Sequence, residues 1–252
     1  MKTTSNKKIQ GNSNSLKTLS KEVSEKLIKQ ILNGVYPAGS KLPTEREMAK
    51  TLQVTRSIVR EALKRVETLR LINIRQGSGA VVQNYKKTGG IELVDLLVMK
   101  SDGKVDKTFL RSIMEFHLFV VVYTVKLATQ RITKNEFQEL RRLVKERTGY
   151  VNNPEQRNKV SLQIAELVVK ASRNMFIQLI FNSLIRDNVT FEHIFGIPLP
   201  DNANVQKYFE QILDAMERKD HELAGMITSR AHLDNDAYMM KTMETALLKR
   251  KD

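Results

Sequence analysis

The chain has 252 residues, 41% apolar and 28% charged, which allows one or two domains with a sizeable core. It contains no Cys, so disulfides and thiolate metal sites are excluded. No 18-residue apolar run stands out, and the polar start MKTTSNKKIQGNSNS lacks the apolar segment of a signal peptide, so a cytoplasmic protein with no membrane partner is expected. The net charge of +14 is unevenly placed. Residues 1–90 hold 18 Lys and Arg against 6 Asp and Glu, while the remainder holds 24 against 22. Such a basic segment suits a polyanion, because each Lys or Arg that neutralises a phosphate releases counterions. The alternative is a solubilising surface.

In chain order, residues 1–18 are rich in Ser, Asn and Lys and are expected to form a disordered tail. Val23, Leu27, Ile28, Ile31 and Leu32 recur at helical spacing over 19–33, and Gly34 stops that helix. After a turn at Tyr36-Pro37-Ala38-Gly39, Thr44 and Glu47 have the spacing of a capping box for a second helix, whose apolar face is Met48, Ala49 and Leu52. Thr55 is placed to cap a third helix running to about residue 69. Ile58, Val59, Ala62, Leu63 and Val66 face its interior side, leaving Arg56, Ser57, Arg60 and Lys64 outside. The alternating LINIR segment, Gln76-Gly77-Ser78-Gly79 and AVVQ then read as a β-hairpin with a glycine-rich tip. Three helices and a hairpin make a winged helix-turn-helix over 19–83, followed by a linker at 84–90.

Residues 91–252 read as an all-α helical bundle, so the fold class is mainly α. Helices are expected over roughly 91–100, 107–130, 134–148, 155–172, 175–195, 202–218 and 221–249. Phe109, Ile113, Phe116, Val120, Tyr123 and Leu127 form an apolar stripe, as do Ile177, Ile180, Phe181, Leu184, Ile185 and Phe191. Both read as core or dimer face in preference to a ligand channel.

A recognition helix reads base edges with its N-terminal turns. Here those turns carry Thr55, Arg56, Ser57 and Arg60. Arg binds guanine O6 and N7 through two hydrogen bonds, while hydroxyls and helix-start N–H groups suit phosphates. Lys64 is a phosphate candidate. Arg46 is placed for backbone or base contact, with an intrahelical pair to Glu47 as the alternative. Gly77 lets the hairpin tip approach DNA, and Gln76 and Ser78 offer polar contacts; an ordinary tight turn is the alternative.

The string LNGVYPAGSKLPTEREMAKTLQVTRSIVREALKRVETLRLINIRQGSGAVV closely resembles the N-terminal domain of GntR-type bacterial transcription regulators. The resemblance covers about residues 19–83 and rests on the ordered set G-x-x-x-x-G-x-x-L-P-[ST]-E-R-E, V-[ST]-R-x-x-V-R-E-A-L and a G-x-G wing. It implies operator contacts from Arg46, Thr55, Arg56, Ser57, Arg60 and Gly77. Arg70 departs from the family, where Gly usually precedes the Leu.

The second domain is similar to that of the FadR branch, which binds a small effector and forms the dimer; the segment NYKKTGGIELVDLL adds to that likeness. Many members hold a metal through a D-x-x-x-H motif and two further His. With Ala171-Ser172-Arg173-Asn174 fixing the register, the expected Asp falls on Ser161, the first His on Ala165 and the next near Phe209. His232 matches the last only after a one-residue shift. The resemblance therefore implies a lost metal site and no metal cofactor. The position of an effector-binding Arg in metal-containing members falls on His117. By analogy with the acyl-CoA-binding member of the branch, Ala231, Asp234 and Tyr238 would border the effector, an organic acid or an acyl-CoA. A structural role for each His, and helix-surface or core packing for the other three, are the alternatives.

The expectation is a homodimeric, sequence-specific regulator that binds double-stranded DNA at a palindromic operator and responds to a small-molecule effector. An enzyme is disfavoured, because the second domain shows neither strands nor glycine-rich phosphate loops. A non-specific architectural DNA-binding protein is the other rival.

Overall fold

The computed structural model describes residues 5–75, 77, 79–100, 102–150, 153–187 and 203–249. The chain divides into two compact units, Met1–Leu97 and Val98–Asp252.

The first unit is a winged helix-turn-helix. Helix α1 (Ser5–Leu32) turns Val23, Leu27, Ile28 and Ile31 onto α3 (Arg56–Thr68), which presents Ile58, Val59, Ala62, Leu63 and Val66. Val59, Ala62 and Val66 are wholly excluded from water. Burial of each such Val contributes about 1.5–3 kcal/mol. Residues 5–18, expected as most of a disordered tail, instead extend α1. That stretch contains one Gly and no Pro, so nothing in its backbone chemistry ends the helix.

Helix α2 (Glu45–Leu52) starts where the capping box placed it. Thr44 Oγ1 accepts the Glu47 N–H, and the Glu47 carboxylate accepts the Thr44 N–H at 2.8 Å. Gln53 ends it in the left-handed region with φ 54°, giving the tight turn into α3. Thr55 caps α3 by accepting the Ile58 N–H.

Strands β1 (Ile72–Arg75) and β2 (Gly79–Val82) pair antiparallel, with Arg75 opposite Gly79. The sequence reading missed two supports of this wing. Residues 39–42 pair along the other side of β2, through Leu42 N–H to Ala80 O at 2.9 Å and Val82 N–H to Ser40 O at 2.9 Å. Glu67 on α3 accepts the Ile74 N–H at 2.7 Å, pinning β1 to the third helix.

Residues 84–90 are not an open linker. They form a short helix, α4 (Tyr85–Thr88), capped by Asn84, and Thr88 Oγ1 donates to Arg70 O at 2.9 Å. A Cβ at Gly89 would lie 2.7 Å from the backbone oxygen of Tyr85, so a side chain there would clash with the short helix before it. Leu93 is then buried in the first unit's core, with Tyr85, Leu96 and Leu97 packed against it. A 3₁₀ turn (Ile91–Leu93) and α5 (Val94–Leu97) therefore belong to the first unit, which moves the expected boundary of the second domain from 91 to 98.

The second unit is helical: α6 (Lys107–Arg131), α7 (Lys134–Thr148), α8 (Pro154–Ala171), α9 (Met175–Asp187), α10 (Ala203–Glu217), α11 (His221–Asp234) and α12 (Asp236–Lys249). The expected helix over 221–249 is two, broken at Asn235, whose side chain donates to Ala231 O at 2.7 Å. The expected helix over 175–195 is described to Asp187, and the rest of that range lies outside the described residues. Helix α6 packs on α8 and α11. It is long and apolar enough to cross a membrane by length and composition, contrary to the sequence expectation. Its Lys126 pairs with Glu222 of α11 at 2.6 Å, and its buried face joins the core, as befits the central helix of a bundle. The α6 stripe divides: Ile113 and Leu127 are buried, while Phe116 and Tyr123 are about half exposed. In the α9 stripe Phe181 is buried and Ile177 and Ile180 are half-buried; the side chains of Leu184, Ile185 and Phe191 lie outside the described residues.

Candidate nucleic-acid interface and a cavity in the second unit

Arg46, Thr55, Arg56, Ser57, Arg60 and Lys64 are all exposed, on the outer faces of α2 and α3. The capping geometry aims them. Because Thr55 is the N-cap, Arg56 and Ser57 open the first turn of α3 and Arg60 follows one turn later on the same side. The first-turn N–H groups of α3 add the partial positive charge of a helix start.

Arg60 does not stand alone. Its Nε donates to Glu45 Oε1 at 3.2 Å and its Nη2 to Glu45 Oε2 at 2.9 Å, so α2 holds the guanidinium in a two-bond fork. The hydrogen bond from Arg60 is the largest cause holding the Glu45 carboxyl below its usual range, and the charge of Arg56 adds to it. Lys64 pairs with Glu61 at 3.0 Å. At the wing tip Gly77 has φ 78° and open space around it, so the tip backbone is free to approach a ligand. Gln76 and Ser78 lie outside the described residues. Glu45 was not singled out from the sequence, although the E-R-E run at the start of α2 was its signal.

The second unit encloses a cavity of about 170 Å³ between α6, α7, α8, α10, α11 and α12. Most of its wall is aliphatic, including Val121, Val125, Ile164, Val168, Ile212 and Leu213. Among the sequence candidates His117 and Ala231 line it, and Asp234 and Tyr238 do not. Asp234 sits behind the wall, accepting hydrogen bonds from Tyr208 Oη, itself a lining residue, and from Arg230 Nε at 3.0 Å. Tyr238 is 39% exposed at the surface of α12.

The ring centroids of His117 and His232 lie 5.5 Å apart in the wall. Burial lowers His117 to about 3, with the neighbouring His232 a smaller cause. Burial lowers His232 as well. Both are neutral at physiological pH. His232 Nδ1 lies 2.8 Å from Thr228 O, and a carbonyl only accepts, so Nδ1 carries the proton and Nε2 is an acceptor.

Among the described residues that line the cavity is a cation, Arg147, which the sequence reading missed. It is 2% exposed, its Nε donates to Ser161 Oγ at 3.1 Å, and its Cζ lies 5.0 Å from the Phe209 ring centroid. Its signal was its spacing: Leu140, Leu143, Val144 and Arg147 follow the i, i+3, i+4, i+7 pattern of the buried face of α7. A basic residue on an apolar stripe was masked by the surrounding basic run RRLVKER.

Residues 19–82 match the family described as bacterial regulatory proteins, gntR family, and residues 109–235 match the FCD domain. The chain belongs to the FCD-domain proteins, with a gntR-family helix-turn-helix domain at its N-terminal side. Its second unit carries the FCD domain. An HTH-type transcriptional regulator of Mycobacterium tuberculosis is 35% identical over 115 residues, 46% of this chain and 48% of that protein. The chain thus spans about half the length of that relative. The fatty acid metabolism regulator protein of Erwinia tasmaniensis is 25% identical over 201 residues, 79% of this chain and 82% of that protein. A GntR-family regulator structure from Pseudomonas syringae aligns with a TM-score of 0.47 and 18% identity, covering 92% of this chain and 87% of that one.

The positions that the family resemblance assigns to a metal lie together in the fold. Ser161, Ala165, Phe209 and His232 all line the cavity. They offer a neutral hydroxyl, a methyl, a phenyl and one imidazole, with the Arg147 guanidinium among them. No three His, Cys, Asp or Glu gather among the described residues. This donor set does not fit a divalent cation, which needs several N, O or S ligands and is repelled by a neighbouring guanidinium.

Proposed function

We infer that the chain is a sequence-specific DNA-binding transcriptional regulator whose operator affinity is set by a small molecule in the FCD cavity. The observation that carries the first half is the outer face of α2 and α3. Arg46, Arg56 and Arg60 flank a capped helix start, and Arg60 is held in a defined plane by Glu45. A guanidinium of fixed plane is what two-bond recognition of guanine requires. Thr55 and Ser57 are suited to phosphates, Lys64 to the backbone, and Gly77 with the wing tip to the adjacent groove.

The protein acts as a cytoplasmic homodimer on a palindromic operator, since two-fold protein symmetry calls for two half-sites. The half-exposed Phe116 and Tyr123 of α6, with Phe119 and with Phe176 of α9, form the apolar face that a second copy would cover. The effector, an organic acid or acyl-CoA, shifts the population of DNA-competent arrangements. No enzymatic activity and no metal are needed for this role.

The test is a titration of the protein with duplexes enriched from a randomised pool, repeated with Arg56→Ala. The parent should prefer the enriched duplex over a scrambled one by about 10³-fold or more. Arg56→Ala should lose about 1–3 kcal/mol of that discrimination. Equal affinity for enriched and scrambled duplexes would leave the non-specific architectural reading.

A further inference from the structure

We propose that the outer face of the wing reads DNA shape: Arg75 enters the minor groove beside each half-site and favours A·T-rich sequence there, while Lys41 holds a phosphate. The proposal rests on reading α2 and α3 as the face that contacts the operator.

Residues opposite each other in a sheet, and residues two apart along a strand, share a face. Lys41 stands opposite Val81, and Val81 opposite Asn73, so these three form one row. Arg75, two residues beyond Asn73 and opposite Gly79, lies on the same face. The other face turns inward, with Leu42, Ile72, Ala80 and Val82 buried. Lys41, Asn73 and Arg75 are exposed. No Asp or Glu occurs between Glu67 and Glu92, whereas Arg70, Arg75, Lys86 and Lys87 do. The cations of α3 are differently placed, since Arg60 is paired with Glu45 and Lys64 with Glu61. Neither Lys41 nor Arg75 makes an ion pair among the described residues, so neither has one to break on meeting DNA. Gly79 offers no side chain to cover the Arg75 guanidinium, and a Cβ there would meet nothing within 4 Å. Glu67 holds the neighbouring Ile74 N–H at 2.7 Å, which fixes the strand carrying Arg75 to the recognition helix. With that helix in the major groove, the groove beside it, where the wing falls, is the minor one. The minor groove carries little base code, but A·T runs narrow it and deepen its negative potential, which attracts an inserted Arg. The amino group of guanine projects into the same groove and opposes the insertion.

The experiment titrates the full chain, over a series of salt concentrations, with an enriched duplex whose base pairs flanking each half-site are all A·T, all G·C or all I·C. Inosine lacks the minor-groove amino group of guanine and keeps its major-groove edge. The parent should bind A·T and I·C flanks alike, and about fivefold or more tighter than G·C flanks. Arg75→Ala should erase that difference while keeping the preference for enriched over scrambled half-sites. Arg75→Gln, which keeps a polar side chain without the charge, should erase it too. Lys41→Ala should keep the flank preference and lower the slope of log affinity against log salt by about one. Both side chains are exposed, so melting curves of the variants should match the parent. The proposal is overturned if the parent is indifferent to the flanks, if I·C flanks bind like G·C flanks, if the Arg75 variants weaken all three duplexes equally, or if Lys41→Ala leaves the salt slope unchanged. Flank indifference with the half-site preference intact removes this proposal alone. Loss of the half-site preference in the parent removes the DNA-reading assignment of α2 and α3 as well.

Discussion

Glu45 at the start of α2 and Arg60 on α3 are joined by two hydrogen bonds, at 3.2 and 2.9 Å, across the helix-turn-helix. The pair is largely exposed, so solvent screens it and its contribution to stability is small. Its consequence lies in recognition. An arginine on a solvated helix face samples many rotamers, and Glu45 restricts this one to a single plane before DNA arrives. Glu45→Ala should change thermal stability little. It should tighten binding to scrambled duplex, because an anion facing phosphates is gone, and lower the ratio of specific to non-specific affinity. Paired titrations with enriched and scrambled duplex check this; an unchanged ratio would show that Arg60 is not oriented by Glu45.

Thr55 has two roles that can be separated. As N-cap it accepts the Ile58 N–H, and Thr55→Ala should cost about 1 kcal/mol of stability in the first unit. Thr55→Ser keeps the cap and the hydroxyl, so it should retain both stability and DNA affinity. Chemical denaturation together with DNA titration reads the two effects.

Arg70 has φ 55°, in the left-handed region that favours glycine. This explains why the family usually has Gly there. Arg70→Gly should leave stability unchanged or raise it by up to about 1 kcal/mol, since relief of the backbone is partly offset by a more flexible unfolded chain. A melting curve checks it, and a clear loss of stability would mean that the Arg70 side chain is needed for packing.

Much of the first unit was legible because its signals are local. Thr44, Glu47 and Thr55 fix helix starts within three residues of themselves, and the Gly77–Gly79 tip fixes the hairpin. Glu45–Arg60 and Glu67–Ile74 were not legible, because they join residues on different elements. The 84–90 segment looked like a linker, whereas it forms a short helix and Gly89 lies close against the Tyr85 backbone oxygen. In the second unit, spacing gave the helices but not what they enclose. His117 and His232 are 115 positions apart in the chain and meet only through the packing of α6 on α11. Asp234 was placed at the cavity by analogy, and the fold spends it on Tyr208 instead.

The buried histidines make the second unit sensitive to acid. His117 is lowered to about 3 by burial, so between that value and the unfolded value near 6.5 the unfolded chain binds the proton and the folded one does not. Stability is therefore fully present above about pH 6.5 and falls as pH drops below it, by up to about 1.4 kcal/mol per pH unit for each such histidine. His232, lowered in the same direction, adds to the slope. His117→Leu should flatten the decline of melting temperature between pH 6.5 and pH 4; an identical slope in parent and variant would contradict the burial of a neutral imidazole.

The most direct test of the central claim is a footprint of the protein on genomic DNA. A regulator that reads bases through the start of α3 should protect discrete sites with two-fold symmetric half-sites, and Arg60→Ala should erase them while diffuse binding remains. Even protection without preferred sequence, the same for parent and variant, would contradict sequence-specific recognition by this face.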